Sequence, residues 1–141
     1  MQPSKAYIIR VEGHEDSEEK SAHCAESCAK AGQEWEYWEA YNGVGGEIEA
    51  PSHHNAIMEC LKVTDHYMTR GEVACALSHI SLWAKCVIED QPLIVLEHDA
   101  VMVEKYEQHA VYNSICYLGG HEQVKQGWKV LPTPPHASEG P

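Results

Sequence analysis

The residues best placed to do chemistry in this chain are Glu97-His98-Asp99, which directly follow the apolar run Leu93-Ile94-Val95-Leu96. Charged side chains at the end of an all-apolar strand are costly unless they meet water, one another or a metal. If extended geometry persists through residue 99, Glu97 and Asp99 point to one side and His98 to the other. Two adjacent carboxylates repel, and a hard divalent cation relieves the repulsion. Oxygen ligands with positions left open for water and phosphate suit Mg²⁺ or Mn²⁺. An isolated E-x-D can equally well solvate a strand end and cap the next turn. His23, Cys24 and Cys28 lie within about one helical turn and could form part of a soft-metal site, although no second pair has zinc-like spacing and His53, His54 and Cys60 would have to be recruited in space. Ser78, His79 and Asp99 have no nucleophile-elbow motif behind them, which argues against a hydrolase. Trp35, Tyr37 and Trp38 could stack on a sugar or pack within a sheet.

Several elements must position these groups. Ala6 to Val11 is a short β-rich run that predicts a buried first strand ending near Arg10, stopped by Gly13. Asp16 is placed to cap a helix with acids in its first turn, Ala22, Ala25 and Ala29 on one face and Gly32 as its stop. Trp35 to Trp38 predicts a second strand, followed by the turn-rich Asn42 to Gly46. Pro51-Ser52 could open a helix within residues 47–67. Thr69 and Glu72 have capping-box spacing, with Met68 and Val73 placed as a hydrophobic staple. Val73, Leu77, Ile80, Ala84 and Val87 then recur as the stripe of an amphipathic helix, which Gln91-Pro92 breaks. Leu93 to Leu96 reads as a central strand buried on both faces. A helix over 104–112 and strands at 115–118 and 128–131 complete the expectation. Alternating strands and helices argue for an α/β domain with a mostly parallel sheet.

Composition bounds what such a domain can do. The 141 residues are 43% apolar and 23% charged, globular values that leave room for one core of ordinary size. The net charge is −12, and residues 12–49 alone hold eleven acids against two bases. That field repels phosphate backbones, so nucleic acid is not an expected partner. No apolar run in the sequence approaches the roughly 20 residues of a membrane span, and the N-terminus lacks signal-peptide features, so a cytoplasmic location is expected. The six cysteines are scattered, which suggests free, mostly buried thiols rather than a disulfide framework. Ten histidines make the charge sensitive to pH between 7 and 5.

Thr69-Arg70-Gly71-Glu72-Val73-Ala74-Cys75, Leu77-Ser78-His79, Trp83 and Ile94 to Ala100 together resemble glycosyltransferase family 25, whose members show L-T-x-G-E-x-G-C-x-L-S-H-x-x-x-W, then an apolar strand and E-D-D. Tyr7 to Arg10 resembles the family's opening strand, Glu39 to Gly43 its A-x-D-G turn, and Tyr117-Leu118-Gly119 its later Y-L-G. His98 stands where the pattern has its second acid. The resemblance implies a GT-A-like, Rossmann-like single domain over 1–131, with 132–141 a Pro-rich tail. It implies transfer of a hexose from a nucleotide sugar of the UDP-hexose type to a saccharide or other hydroxyl acceptor. On this reading Arg10, Gly71, Glu72, Ser78 and His79 lie near the donor, while Glu97 and Asp99 hold Mn²⁺ or Mg²⁺. Family members are usually longer, so a trimmed donor-binding domain is an expected alternative. So is an interaction protein reusing the fold, with a homodimer covering an incomplete sheet edge.

Overall fold

Ala6, Tyr7, Ile8 and Ile9 are four consecutive buried residues, and they make β1 (Lys5–Arg10) the middle of a three-stranded sheet. The computed structural model describes residues 3, 5–44, 48, 51 and 69–107. The chain divides into two compact units, Met1–Tyr106 and Glu107–Pro141. The described residues, Glu107 aside, belong to the first. There the order is β1, α1 (Glu15–Ala31), β2 (Glu34–Glu39), α2 (Arg70–Glu89) and β3 (Ile94–Leu96). Both neighbours of β1 run parallel to it, with Ile8 opposite Tyr37 on one side and Leu96 on the other. The described unit is therefore α/β with a parallel sheet in the order β2-β1-β3.

Strand alternation sorts the side chains between two helices. Tyr7 and Ile9 meet Leu82 of α2 and Ala40, with Trp38 and Val95 packed against them. Trp38 Nε1 donates to Ser81 Oγ at 2.9 Å, so its polar tip is satisfied in the helix interface. Ala6 and Ile8, both wholly buried, turn to the other face, against which α1 packs. Fully burying side chains such as Ile8 and Leu82 stabilises the fold by roughly 1.5–3 kcal/mol each.

Several expectations are corrected. The cap of α1 is His14, not Asp16. Gly13, at φ +77°, turns the chain early, and its N–H donates to the Glu18 carboxylate at 2.9 Å. Asp16 is instead inside the first turn, paired with Lys20 at 2.8 Å. The buried face of α1 consists of Ser17, Ser21, Cys24, Ala25 and Cys28, so of the three alanines only Ala25 faces the core. In α2 the buried residues are Val73, Ala74, Ser78 and Leu82, while Val87 is 79% exposed. Ala74 and Ser78 on that face meet Tyr41 in the loop after β2, and Leu82 meets Tyr7 and Ile9 of β1. Among the described residues the Leu93–Leu96 run has one neighbour in the sheet, β1, and only its Ile94 is buried.

The 20 residues of α2 do reach the length and apolarity of a membrane span, contrary to the reading of the sequence. In the fold, however, that helix lines one face of the sheet and carries Arg70, Glu72, Lys85 and Glu89. Residues 104–107 are not helical. The staple residue Met68, most of the stretch 47–67, the expected strands at 115–118 and 128–131 and the tail lie outside the described residues.

Candidate functional site

In open parallel sheets ligands gather at the carboxyl ends of the strands. Here that edge is built from segments far apart in sequence. Ala40 N–H donates to the carbonyl of Arg10 at 2.8 Å, holding the exit of β2 against the end of β1. The Arg10 guanidinium lies 4.0 Å from the centre of the Tyr37 ring and 3.6 Å from the Glu12 carboxylate. Tyr41 N–H donates to Ser78 Oγ at 2.9 Å, and that hydroxyl donates to the carbonyl of Ala74 at 2.8 Å. Ser78 is 1% exposed, so it fixes the loop after β2 onto α2 rather than presenting itself to a ligand.

Gly43 completes this junction. A Cβ there would lie 2.5 Å from the Arg70 carbonyl oxygen and 2.9 Å from the Gly71 nitrogen, so only glycine permits the approach. Thr69 caps α2 with both halves of the capping box: its Oγ1 accepts from Glu72 N–H at 3.3 Å, and the Glu72 carboxylate accepts from Thr69 N–H at 2.7 Å. These bonds hold the Glu72 carboxyl below its ordinary range. Glu72 thus has a structural duty at the edge, and Gly71 lies beside it, exposed.

Beyond Leu96 the extended geometry does not persist to residue 99. Ala100 N–H donates to the carbonyl of Glu97 at 3.0 Å, closing a turn over His98 and Asp99. Glu97 keeps the strand's alternation and faces α2, where its Oε1 is 3.3 Å from His79 Nε2. His98 faces α1, with Nδ1 3.5 Å from Ser17 Oγ; the same hydroxyl accepts from Val11 N–H at 3.0 Å. The charge of Asp99 acts on Lys20 and Cys24 of α1. The turn therefore removes the strand alternation that would by itself put the two carboxylates on one side. Trp38 faces α2, whereas Trp35 and Tyr37 pack edge to face with centroids 5.0 Å apart, so the three aromatics do not form one platform.

The cysteines divide in the same way. All four described thiols are free; Cys24 and Cys28 are buried, Cys86 is half-buried and Cys75 is exposed. Burial pushes the Cys24 thiol up to about 12 and raises Cys28 as well. With His23 exposed on the outer side of α1, these residues do not converge on an ion. Among the described residues the group that does converge is Cys75, His79 and Glu97, whose ligand atoms all lie within 4.8 Å of one another. Cys75 is absent from the sequence-based candidates. Its signal was there, because Cys75 and His79 are four apart and so stack on one helix face.

The family model for glycosyltransferase family 25, described as LPS biosynthesis protein, matches residues 4–123. The lipooligosaccharide biosynthesis protein lic2B of Haemophilus influenzae is 34% identical over 62 residues, which are 44% of this chain and 21% of that protein. The chain is thus aligned over about a fifth of the length of this curated relative. No solved structure matches it significantly. Since the matched span runs through β1, the Tyr41–Gly43 turn, the capped helix and the Glu97 turn, the chain belongs to glycosyltransferase family 25.

Proposed function

We propose that this domain binds a nucleotide-sugar donor of the UDP-hexose type at the carboxyl edge of a GT-A-like sheet and transfers its hexose to a hydroxyl of a saccharide acceptor in lipopolysaccharide assembly. The observation that carries this is an unbroken chain of contacts along the edge. Arg10 meets Ala40, Tyr41 meets Ser78, Gly43 meets Arg70 and Gly71, and His79 meets Glu97. Four stretches of the family pattern are brought to one rim, where a parallel sheet places its ligands. Membership of the family and the relative's stated role in lipooligosaccharide biosynthesis support the same reading.

Each residue has a part in it. Ser78 and Gly43 position backbone, and Thr69 and Glu72 fix the start of α2. Arg10, braced on Tyr37, supplies positive charge near the end of β1 for an anionic donor in a chain of net charge −12. Glu97 is the acid of the E-x-D motif whose neighbours include further ligand atoms, so it is the residue that would hold a divalent ion. A bound ion of this kind would neutralise charge on the leaving diphosphate. Asp99, the second acid of the motif, follows in the turn closed by Ala100, and its charge is felt at Lys20 and Cys24 of α1.

The test is a set of thermal melts with UDP-glucose, UDP-galactose and UDP-N-acetylhexosamines, followed by donor hydrolysis and transfer to a saccharide. A raised Tm with one donor together with sugar release is the expected result. A shift without release would reduce the reading to a donor-binding module. No shift with any of these donors would overturn it.

A further inference from the structure

We infer that Cys75, His79 and Glu97 form a three-ligand site for a borderline divalent ion of the Zn²⁺ class, with a fourth position open to water or a substrate oxygen. The reasoning begins with the two elements that supply the ligands. Helical spacing stacks Cys75 and His79 on one side of α2, and burial of Val73, Ala74, Ser78 and Leu82 fixes the rotation of that helix. Strand alternation carried one residue past β3 brings Glu97 to the same place.

The distances suit a small tetrahedral ion. Two nitrogen or oxygen ligands at about 2.0–2.1 Å from zinc stand about 3.3 Å apart along a tetrahedral edge. His79 Nε2 and Glu97 Oε1 are already 3.3 Å apart. The Cys75 sulfur lies within 4.8 Å of both, a gap that rotation of an exposed side chain can close. The Trp83 ring, one turn further along α2, contacts the His79 imidazole edge to face at 6.4 Å and so limits its orientation.

The ligand types then choose the ion. One sulfur, one imidazole nitrogen and one carboxylate oxygen match Zn²⁺ and its close relatives, whereas Mg²⁺ prefers oxygen throughout. Thiolate and carboxylate together neutralise the dication. Binding transfers the Cys75 proton to solvent, so each ion bound releases one proton. The site stands on its own geometry, so it can exist whether or not the domain transfers sugar.

The test uses the full chain stripped of metal. Co²⁺ is added as a spectroscopic probe, and the cobalt is then displaced by Zn²⁺. The expected result is one equivalent bound, with a sulfur-to-cobalt charge-transfer band and the visible absorption of a tetrahedral ion. Cys75→Ser should remove the charge-transfer band, and His79→Ala should weaken binding by more than about 100-fold, beyond the usual cost of losing a supporting residue. Cys86→Ser should change neither. A second measurement needs no variant: Zn²⁺ should slow alkylation of Cys75 in the native chain, read by mass spectrometry, and Mg²⁺ should not. Absence of the sulfur band in the unaltered protein, its persistence in Cys75→Ser, or unchanged alkylation would overturn the site. Donor-induced melts and sugar release measured with Mg²⁺ or Mn²⁺ present test the transferase reading, whereas the cobalt band and the alkylation need no donor, so failure of one is distinguishable from failure of the other.

Discussion

The two helices carry the same kinds of side chain to opposite ends. In α1 the pair Cys24 and Cys28 is four residues apart, as Cys75 and His79 are in α2. The α1 pair is turned inward with Ser17 and Ser21, and its thiols are buried. The α2 pair lies at the margin of the buried stripe and looks toward the end of β3. Spacing alone makes the two pairs equivalent, and burial separates them. A thiol enclosed in a core is a small apolar group, whereas one at an exposed edge beside imidazole and carboxylate is a ligand.

This contrast can be broken by mutation. Its largest expected effect lies on the inward face of α2: Leu82→Ala, at a wholly buried position, should cost about 2–5 kcal/mol in urea denaturation. Gly43→Ala places a methyl against the Arg70 carbonyl and should cost about 1–3 kcal/mol, with loss of donor binding because the start of α2 must shift. Thr69→Ala removes the capping hydroxyl at the same helix end, for about 1 kcal/mol. On the outward face, Cys75→Ser should change stability by no more than about 0.5 kcal/mol. A large loss there would mean that Cys75 is structural after all.

Titration sharpens the comparison from the other side. The Cys24 thiol ionises at about 12 in the fold against 9.0 ordinarily. Above pH 9.0 the unfolded chain releases this proton and the folded chain keeps it, so stability is full below that pH and declines as pH rises toward 12. Cys24→Ala should flatten that alkaline decline in denaturation curves. Glu72 behaves in the opposite sense: its lowered carboxyl pKa contributes stability above 4.5 that is lost as pH falls through the folded value. Thr69→Ala should diminish this acid response.

Local signals in the sequence were legible where the chemistry is local. The capping box of α2, the left-handed stop at Gly32 and the two strands Lys5–Arg10 and Glu34–Glu39 follow from neighbouring residues, and all four are present. The start of α1 differs because side-chain preference favours Asp16 as a cap, whereas the turn at Gly13 starts the helix earlier and leaves His14 there. The motif alone implies a place near the donor for Ser78. Only the fold reveals that Tyr41, 37 residues earlier, claims its oxygen. The pairing of Glu97 with Asp99 depended on how far an extended run continues, and the turn closed by Ala100 was not visible in the pattern.

Gly43 and Arg70 approach through their backbones, so the two ends of the segment between them are pinned together. Lengthening a loop whose ends are pinned is cheap, because doubling its length adds only about 0.6 kcal/mol of closure entropy. Insertions between Gly43 and Arg70 are therefore inexpensive as long as the glycine clasp and the packing of Ile48 beside Tyr41 and Ala74 are kept.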